Sequence, residues 1–521
     1  MTSAAFVASS CASLPEAPAD PLIARTRAGL VRGALEDGVR VFKGVPYGGP
    51  TSGAGRFKPP TPPAAWQGVR DALAYGAQSP QSPPAPGAFS VYRSWSRPSE
   101  NSEECLVLNV WTPGVRDGRR RPVMVWFHGG AFSVFNGSSP AYDGVRLCNR
   151  GDVVVVTLNH RLNAFGYLYL GELAGPEFAS SGNSGQLDLV AALRWVRDNI
   201  EEFGGDPNKV MIFGESGGGS KTCALMAMPA AQGLFHRAAV QSGPFLRGFS
   251  RERATQNARR LLDNLNIPHA QAARLQQTPA EEIVQAFTSD ASLGAYAFAP
   301  VVDGLALPRD PFSPDATPVA RDIPLLIGSN ADEMTLFSQD PALLTMSWED
   351  LPRRAGALLP GSDVAHIIDV FRRGRPQASP YQVFQAIGAE RLMGANSKIL
   401  AERKAAQGGA PVYSYFFTWE SPVDGGRSGS AHSLEIPFVF DTLGRSESFV
   451  GPHPPQSLAD KMSDAWLAFA RVGDPSTTAL PDWPRYEASR RATMVFDVEP
   501  RVVDDPNGEE RQLLAGLPPM R

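Results

Sequence analysis

The sequence has no concentrated charge of one sign and no long apolar run. Its 521 residues carry a formal net charge of -4, with acidic and basic residues mixed, so no strong field is available to hold nucleic acid or an anionic membrane surface. No apolar stretch approaches the roughly 18 residues of a membrane-spanning helix. We therefore expect a soluble protein with no nucleic-acid or membrane partner, whose ligand is a small, largely uncharged molecule.

Cysteine is also scarce. The four cysteines, Cys11, Cys105, Cys148 and Cys223, are scattered and form no C-x-x-C pair, which excludes a disulfide scaffold and a zinc cluster. The first basic residue is Arg25, so the basic start of a secretory leader is missing. We expect free thiols, no metal and a cytoplasmic location.

Glycine and proline are by contrast abundant, with 50 and 47 residues, in a chain that is 43% hydrophobic. This composition is typical of a globular enzyme with many loops. Residues 1–24 are mostly small residues and prolines and predict a flexible tail. Residues 25–521 predict a single large domain with helical insertions near residues 250–320 and 341–408.

The middle of the chain alternates apolar runs with an amphipathic segment. Apolar residues recur at helical spacing between residues 189 and 203, which predicts a crossover helix. The alternation predicts the α/β class, with a large and mostly parallel central sheet flanked by helices. The predicted strands are residues 123–127, 153–156, 210–213, 324–328 and 412–417.

The motif Gly-Glu-Ser-Gly-Gly at residues 214–218 follows one of these strands and precedes a helical run at residues 221–228. A sharp strand-to-helix turn needs small residues on both sides of the serine, because its hydroxyl must stand exposed above the sheet. The alternative is an ordinary glycine turn, but the strand and the helix favour a nucleophile elbow. Ser216 is the predicted nucleophile.

A rival motif overlaps the elbow. Residues 214–222 are close to a phosphate-binding loop, G-x-x-x-x-G-K-[ST]. That loop needs its lysine directly after the second glycine, whereas Ser220 here displaces Lys221 by one position. The displacement rotates the lysine by about 100° on a helix, so the nucleotide interpretation is disfavoured.

The second chemical motif is His-Gly-Gly-Ala-Phe at residues 128–132, directly after a predicted strand. Backbone N–H groups on a loop of tiny residues can approach the negative oxygen that forms during acyl transfer. We predict an oxyanion hole made by the amides of Gly130, Ala131 and Gly217. His128 is expected to be structural, and a plain glycine turn is the alternative.

With these residues placed, the chain resembles the type B carboxylesterases, the family that also contains the cholinesterases. The resemblance runs from about Leu30 to Leu514 and rests on several motifs in one order. They are residues 42–47 with Arg56 and Phe57, residues 102–110, residues 159–162 with Phe165 and Gly166, residues 182–185 with Asp188, and residues 199–200 with 203–207.

The resemblance implies an α/β-hydrolase fold with a triad in the order serine, acid, histidine. Of the histidines in the last third of the chain, His432 matches the family's catalytic motif, whereas His366 and His453 are expected to be solvated. The family places its acid at the position of Glu333, and the neighbouring Asp332 is the closest competitor.

Two other acids match the family without a predicted role in proton transfer. Asp303 is expected to hold a turn, and Glu215 is expected to be a buried structural partner near the elbow. The chain departs from the family at Ala131, where glycine is frequent, and at Gly217, where alanine is common, but both positions supply only a backbone amide. Cys105 lies where many secreted members of the family form a disulfide, but no cysteine exists between residues 12 and 104 to supply the near partner. This absence favours a reducing compartment.

These residues together imply a serine hydrolase that splits small, largely uncharged carboxylic esters through an acyl-enzyme, with no cofactor. Two alternatives stay open: an amide or carbamate hydrolase with the same mechanism, and a non-catalytic cholinesterase-like binding protein. The physiological substrate and the oligomeric state cannot be predicted from these motifs.

Overall fold

The structure is a computed structural model that describes residues 20–83, 90–95, 97, 99–338, 340–515 and 517. We number strands and helices in chain order. The strands are β1 (Ile23–Arg25), β2 (Leu30–Arg32), β3 (Ala34–Glu36), β4 (Val39–Pro46), β5 (Val69–Asp71), β6 (Val107–Thr112), β7 (Arg121–Phe127), β8 (Val154–Leu158), β9 (Gly205–Glu215), β10 (Arg237–Gln241), β11 (Leu325–Asn330), β12 (Val412–Phe417), β13 (Ala492–Phe496) and β14 (Arg501–Asp504).

The helices alternate with the strands of the middle region and fill the insertions. They are α1 (Val145–Gly151), α2 (Asn163–Tyr167), α3 (Ser184–Asn199), α4 (Gly217–Met226), α5 (Arg251–Asn264), α6 (Ala280–Thr288), α7 (Pro341–Leu344), α8 (Leu351–Gly356), α9 (Val364–Gly374), α10 (Pro380–Ala389), α11 (Ala395–Ala405), α12 (Ile436–Val439), α13 (Glu447–Val450), α14 (Gln456–Val472) and α15 (Gly508–Leu514).

In the described part of the chain, eleven strands form one sheet in the order β14-β13-β12-β11-β10-β9-β7-β8-β6-β4-β3. The seven neighbouring strands from β13 to β8 are parallel, and the strands beyond them at both edges are antiparallel. The carboxyl ends of parallel strands meet at one edge of a sheet, where active sites of such folds form. The predicted mostly parallel sheet is confirmed.

Both faces of the sheet are covered, as a parallel sheet requires. Along β7, Val123, Val125 and Phe127 point into one apolar cluster, which contains α3. Met124 and Trp126 point into the other cluster, which contains α14. Each fully buried side chain of this kind contributes about 1.5–3 kcal/mol, so the sheet is the rigid support for the loops above it.

The predicted insertions differ in how helical they are. Residues 341–408 contain the helices α7 to α11. Residues 250–320 are helical only in their first part: α5 and α6 pack with Phe132 and Phe165 in a cluster of their own. Beyond residue 293 that segment contains only the short 3₁₀ turn Pro318–Ala320, because residues 300–318 contain five prolines, which interrupt helices.

Several smaller expectations concern the periphery of the fold. β1 begins inside the range predicted as a tail and pairs with β2, while residues 1–19, with Cys11, lie outside the described residues. The other three cysteines are buried and free. No helix in the described ranges is long and apolar enough to cross a membrane.

Candidate active site

Ser216 lies at the turn between β9 and α4. The strand ends at Glu215, the helix begins at Gly217, and Ser216 between them has φ 56° and ψ -123°. A positive φ is unfavourable for a residue with a side chain, and this strained turn is the geometry of a nucleophile elbow. The helix begins four residues before the predicted run because Ser216 itself is its N-cap.

The glycines of the elbow are required by close backbone contacts. A Cβ on Gly218 would lie 1.9 Å from the carbonyl oxygen of Phe127, at the end of β7. A Cβ on Gly217 would lie 1.9 Å from the carbonyl oxygen of Ala131. The predicted need for small residues around the serine is thus met, and Gly217 lets the loop at residues 128–132 approach the start of α4.

The predicted acid and base meet beside this elbow. Glu333 follows β11 and His432 follows β12, and these neighbouring strands bring their loops together through a parallel bridge between Asp332 and Ala431. His432 Nδ1 lies 2.5 Å from Glu333 Oε2, and the two residues are only 2% and 0% exposed. Such a contact fixes both the orientation and the tautomer of an imidazole.

The competing residues do not share this position. The carboxylate of Asp332 accepts the amide of Ser430 at 2.8 Å, and it forms no hydrogen bond or ion pair with His432 in the described structure. His366 and His453 are exposed, as expected. Asp303 accepts backbone amides of its own turn, which confirms its predicted role.

Glu215 is closer to the base than the sequence indicated. Its Oε1 lies 3.1 Å from His432 Nε2 and accepts the hydroxyl of Ser433 at 2.6 Å. Burial alone would lower the pKa of His432, but the carboxylates of Glu215 and Glu333 outweigh burial and raise it to about 9. Burial raises the pKa of Glu215 itself, while the neighbouring imidazole acts in the opposite direction.

A buried hydrogen-bond line supports the acid from behind, and the sequence did not indicate it. The amide of Asn330 donates to Glu333 Oε1, and the Asn330 side chain donates to Glu435, both at 2.7 Å. Gln241 donates to the other oxygen of Glu435 and accepts the indole N–H of Trp466, both at 3.1 Å. Residues from β10, β11 and α14 therefore hold the acid and base loops in register.

The link between nucleophile and base is not made in this structure. Within the described residues, His432 Nε2 forms no hydrogen bond, so its contact with Ser216 Oγ remains a prediction. In ligand-free enzymes such contacts are often long and tighten only with substrate. The ring of Phe337, 39% exposed, lies against the imidazole with its centroid 5.0 Å away, a contact that the sequence did not reveal.

The predicted oxyanion-hole loop lies against the elbow. A Cβ on Gly129 would be 3.4 Å from Cβ of Ser216, while Gly130 and Ala131 have φ 81° and 52°. The amides of Gly130 and Ala131 form no hydrogen bond to any described residue, and the amide of Gly217 belongs to the first turn of α4. Free amides on a loop, together with an amide at a helix N-terminus, are suited to bind an anionic oxygen.

A metal site is not part of this arrangement. Across the ranges that the structure describes, no group of three or more histidine, cysteine, aspartate and glutamate side chains is arranged to hold a metal ion. His128, predicted to be structural, is buried, and its Nδ1 lies 2.9 Å from the carbonyl oxygen of Gly129. The polar groups that converge at the elbow are thus a hydroxyl, an imidazole, carboxylates and backbone amides.

Comparisons with known proteins agree with this chemistry. The model of the Carboxylesterase family matches residues 20–514. The chain is 37% identical over 500 residues to the para-nitrobenzyl esterase of Bacillus subtilis (strain 168), covering 94% of this chain and 98% of that protein. It is 36% identical over 497 residues to the phenmedipham hydrolase of Pseudarthrobacter oxydans, covering 92% and 95% of the two chains.

Solved structures give the same result. A carboxylesterase of Geobacillus stearothermophilus aligns with a TM-score of 0.81 at 40% identity, covering 94% of this chain and 99% of that chain. A para-nitrobenzyl esterase structure aligns with a TM-score of 0.80 at 36% identity, covering 95% and 99%. The predicted α/β-hydrolase fold is confirmed. The chain belongs to the carboxylesterase family and is a serine ester hydrolase.

Proposed function

We propose that Ser216, His432 and Glu333 are the catalytic triad of this esterase. His432 takes the proton of Ser216 as its oxygen attacks the ester carbonyl, and Glu333 stabilises the imidazolium that forms. The imidazolium then protonates the departing alcohol, which leaves an acyl-enzyme. Water attacks this intermediate with His432 again as the base, so the cycle ends with the acid product and free Ser216.

The contact that carries this proposal is the buried pair between His432 and Glu333, 2.5 Å apart. The two residues are 99 positions apart in the sequence and follow the neighbouring strands β11 and β12. Their contact lies beside the strained turn at Ser216. We assign the amides of Gly130, Ala131 and Gly217 to the oxyanion hole. One such donor is worth a factor of about 10² to 10³ in kcat.

The proposed substrates are small, largely uncharged esters. The chain carries no strong net charge. Two of the relatives named above are a para-nitrobenzyl esterase and a phenmedipham hydrolase. Those relatives do not favour the non-catalytic alternative, and the esterase among them favours esters over amides and carbamates as the first substrates to test.

Replacing the nucleophile tests the triad. Ser216→Ala is expected to lower kcat for p-nitrophenyl acetate by about 10⁴-fold or more, because no acyl-enzyme can form. The melting temperature should change little. Ser220→Ala is the matched control, since Ser220 lies one turn along α4 and its hydroxyl bonds only the carbonyl of Gly243. Retained turnover in Ser216→Ala would remove this residue from its proposed role.

A further inference from the structure

Lys221 is a buried cation in α4 that the triad does not use. It lies five residues after Ser216 and is 0% exposed. Lysine is almost never fully buried unless its ammonium group is paired, yet in the described part of the chain Lys221 forms no ion pair. Because the phosphate-loop interpretation is disfavoured, Lys221 has no role from that motif. Its surroundings indicate another role.

The ammonium group reaches the loop at residues 128–132. Lys221 Nζ donates to the carbonyl oxygen of His128 at 2.9 Å, and it lies 5.9 Å from the ring centroid of Phe132. It therefore contacts the first and the last residue of the loop whose middle carries the proposed oxyanion donors. The same side chain joins that loop to the helix that begins at the nucleophile.

Two other carbonyl groups of this loop accept backbone amides from residues that follow it in the chain. The carbonyl of Gly130 accepts the amide of Ser133 at 3.0 Å, and that of Phe132 accepts the amide of Asn163 at 2.6 Å. Among the side chains of α4 that the structure describes, Lys221 alone holds a carbonyl of the loop.

The neighbours of the ammonium group do not neutralise it. The rings of His128 and His160 lie with centroids 4.9 Å apart, and burial together with the charge of Lys221 lowers the pKa of both, so they stay neutral. Burial lowers the pKa of Lys221 to about 7, whereas the carboxylate of Glu215 acts to raise it. Negative charge on a reacting oxygen nearby favours the protonated amine further.

We propose that Lys221 is a positioning residue of the oxyanion hole. Its ammonium group fixes the His128 carbonyl and so the amides of Gly130 and Ala131, and its charge stabilises the negative oxygen that forms there. This inference rests on the proposed function, because it needs Ser216 to generate that oxygen. A purely structural lysine would support folding without favouring the transition state over the bound substrate.

The test compares two buried lysines. Lys221→Met removes the ammonium group while keeping an unbranched side chain. Lys404→Met is the matched control, because Lys404 is also 0% exposed and its Nζ donates to the carbonyl of Arg321 at 2.9 Å. Lys404 lies in α11, which contributes no residue to the proposed triad or hole. Both changes are expected to lower the melting temperature, but only Lys221→Met should lower kcat.

The experiment measures the affinity of two ketones that have the same carbon skeleton. An aryl trifluoromethyl ketone forms a tetrahedral adduct with the serine and places an oxyanion in the hole, whereas the matching methyl ketone binds without that charge. For Lys221→Met we expect kcat/KM to fall by about tenfold or more, less than the loss of a whole donor. Trifluoromethyl ketone affinity should fall by the same factor, while methyl ketone affinity should stay within about twofold.

The outcomes separate this inference from the proposed function. If wild-type protein neither cleaves p-nitrophenyl esters nor binds the trifluoromethyl ketone, the proposed function fails. If wild-type protein does both and Lys221→Met changes neither, Lys221 has no positioning role. Equal losses for both ketones also overturn the inference, since they indicate general damage to the pocket. If Lys221→Met does not fold, Lys221→Gln is measured in the same assays and judged by the same criteria.

Discussion

His432 lies between two buried acids that contact opposite nitrogens of its ring. Glu333 holds Nδ1, and Glu215 lies 3.1 Å from Nε2, the atom that must accept the serine proton. Two carboxylates stabilise an imidazolium and so hold its proton. With a pKa raised to about 9, His432 is mostly protonated at neutral pH, so we expect kcat/KM to rise with pH up to that value.

Glu215→Gln is predicted to shift this pH dependence. Removing one carboxylate weakens the stabilisation of the imidazolium, so the pKa of His432 falls and the neutral base persists to lower pH. The acidic limb of the kcat/KM profile for p-nitrophenyl acetate, recorded from about pH 5.5 to 9.5, should therefore move to lower pH. Glu402→Gln is the control, because Glu402 pairs with Arg491 away from the elbow. If the acidic limb stays in place or moves to higher pH, Glu215 does not raise the pKa of His432.

The residues of the proposed triad could be named from local motifs together with family resemblance, but their surroundings could not be predicted. The glycines around Ser216 constrain the backbone locally, so the elbow is visible as a motif. Family resemblance selected His432 and Glu333. The contacts of Glu435 with Asn330 and Gln241 join three distant segments, and no local pattern encodes such a meeting.

At the scale of elements, a buried ion pair joins the chain after β8 to helix α3. Arg161 and Asp188 are 2% and 0% exposed. The carboxylate accepts Nε and Nη2 of the guanidinium at 2.8 and 2.6 Å, and the Arg161 backbone amide at 3.0 Å. This pair fixes α3 beneath the sheet, on the face that carries the elbow helix α4.

Asp188→Asn is predicted to destabilise the protein by about 3–5 kcal/mol, because it leaves a guanidinium buried without its counter-charge. The loss should be measured as a lower midpoint of urea unfolding. Asp504→Asn breaks the exposed pair with Arg490 and should cost only about 0–1 kcal/mol. Equal losses in the two variants would show that the pair is not responsible for the stability of this junction.

Strands inside the alternating pattern were predictable, whereas β10, β13 and β14 were not. β7, β8 and β9 contain apolar runs that are buried on both faces. β10 has only five residues and begins with arginine, and β13 and β14 form an antiparallel pair after the long α14. Their place in the sheet depends on pairing with distant strands, which residue patterns do not specify.

At the scale of the whole molecule, three acids of the described residues are buried beneath the proposed site, and burial raises the pKa of two of them, Glu215 and Glu435. Glu215, Glu333 and Glu435 are all 0–2% exposed, and buried charges interact more strongly than solvated ones. A substrate with a carboxylate near its scissile bond would lose its hydration beside these acids and, where they are ionised, be repelled by them. We therefore expect neutral acyl groups to be preferred.

A matched pair of esters measures this preference. Mono-p-nitrophenyl succinate carries a carboxylate that its methyl ester lacks. The kcat/KM of the methyl ester should be higher by about tenfold or more at low ionic strength, since 1.4 kcal/mol of repulsion corresponds to that factor. Release of p-nitrophenol gives the rate for both compounds. Equal values, or a preference for the anion, would show that the buried acids do not select the substrate.

The line from Trp466 through Gln241 to Glu435 has a consequence for synthesis on the ribosome. A nascent chain that has emerged only as far as residue 455 already contains all three residues of the proposed triad. It still lacks the indole that completes this line and the strand β13 that covers β12. Ester cleavage is therefore expected only after α14 and β13 have also emerged, so a shorter nascent chain should be inactive although it contains the triad.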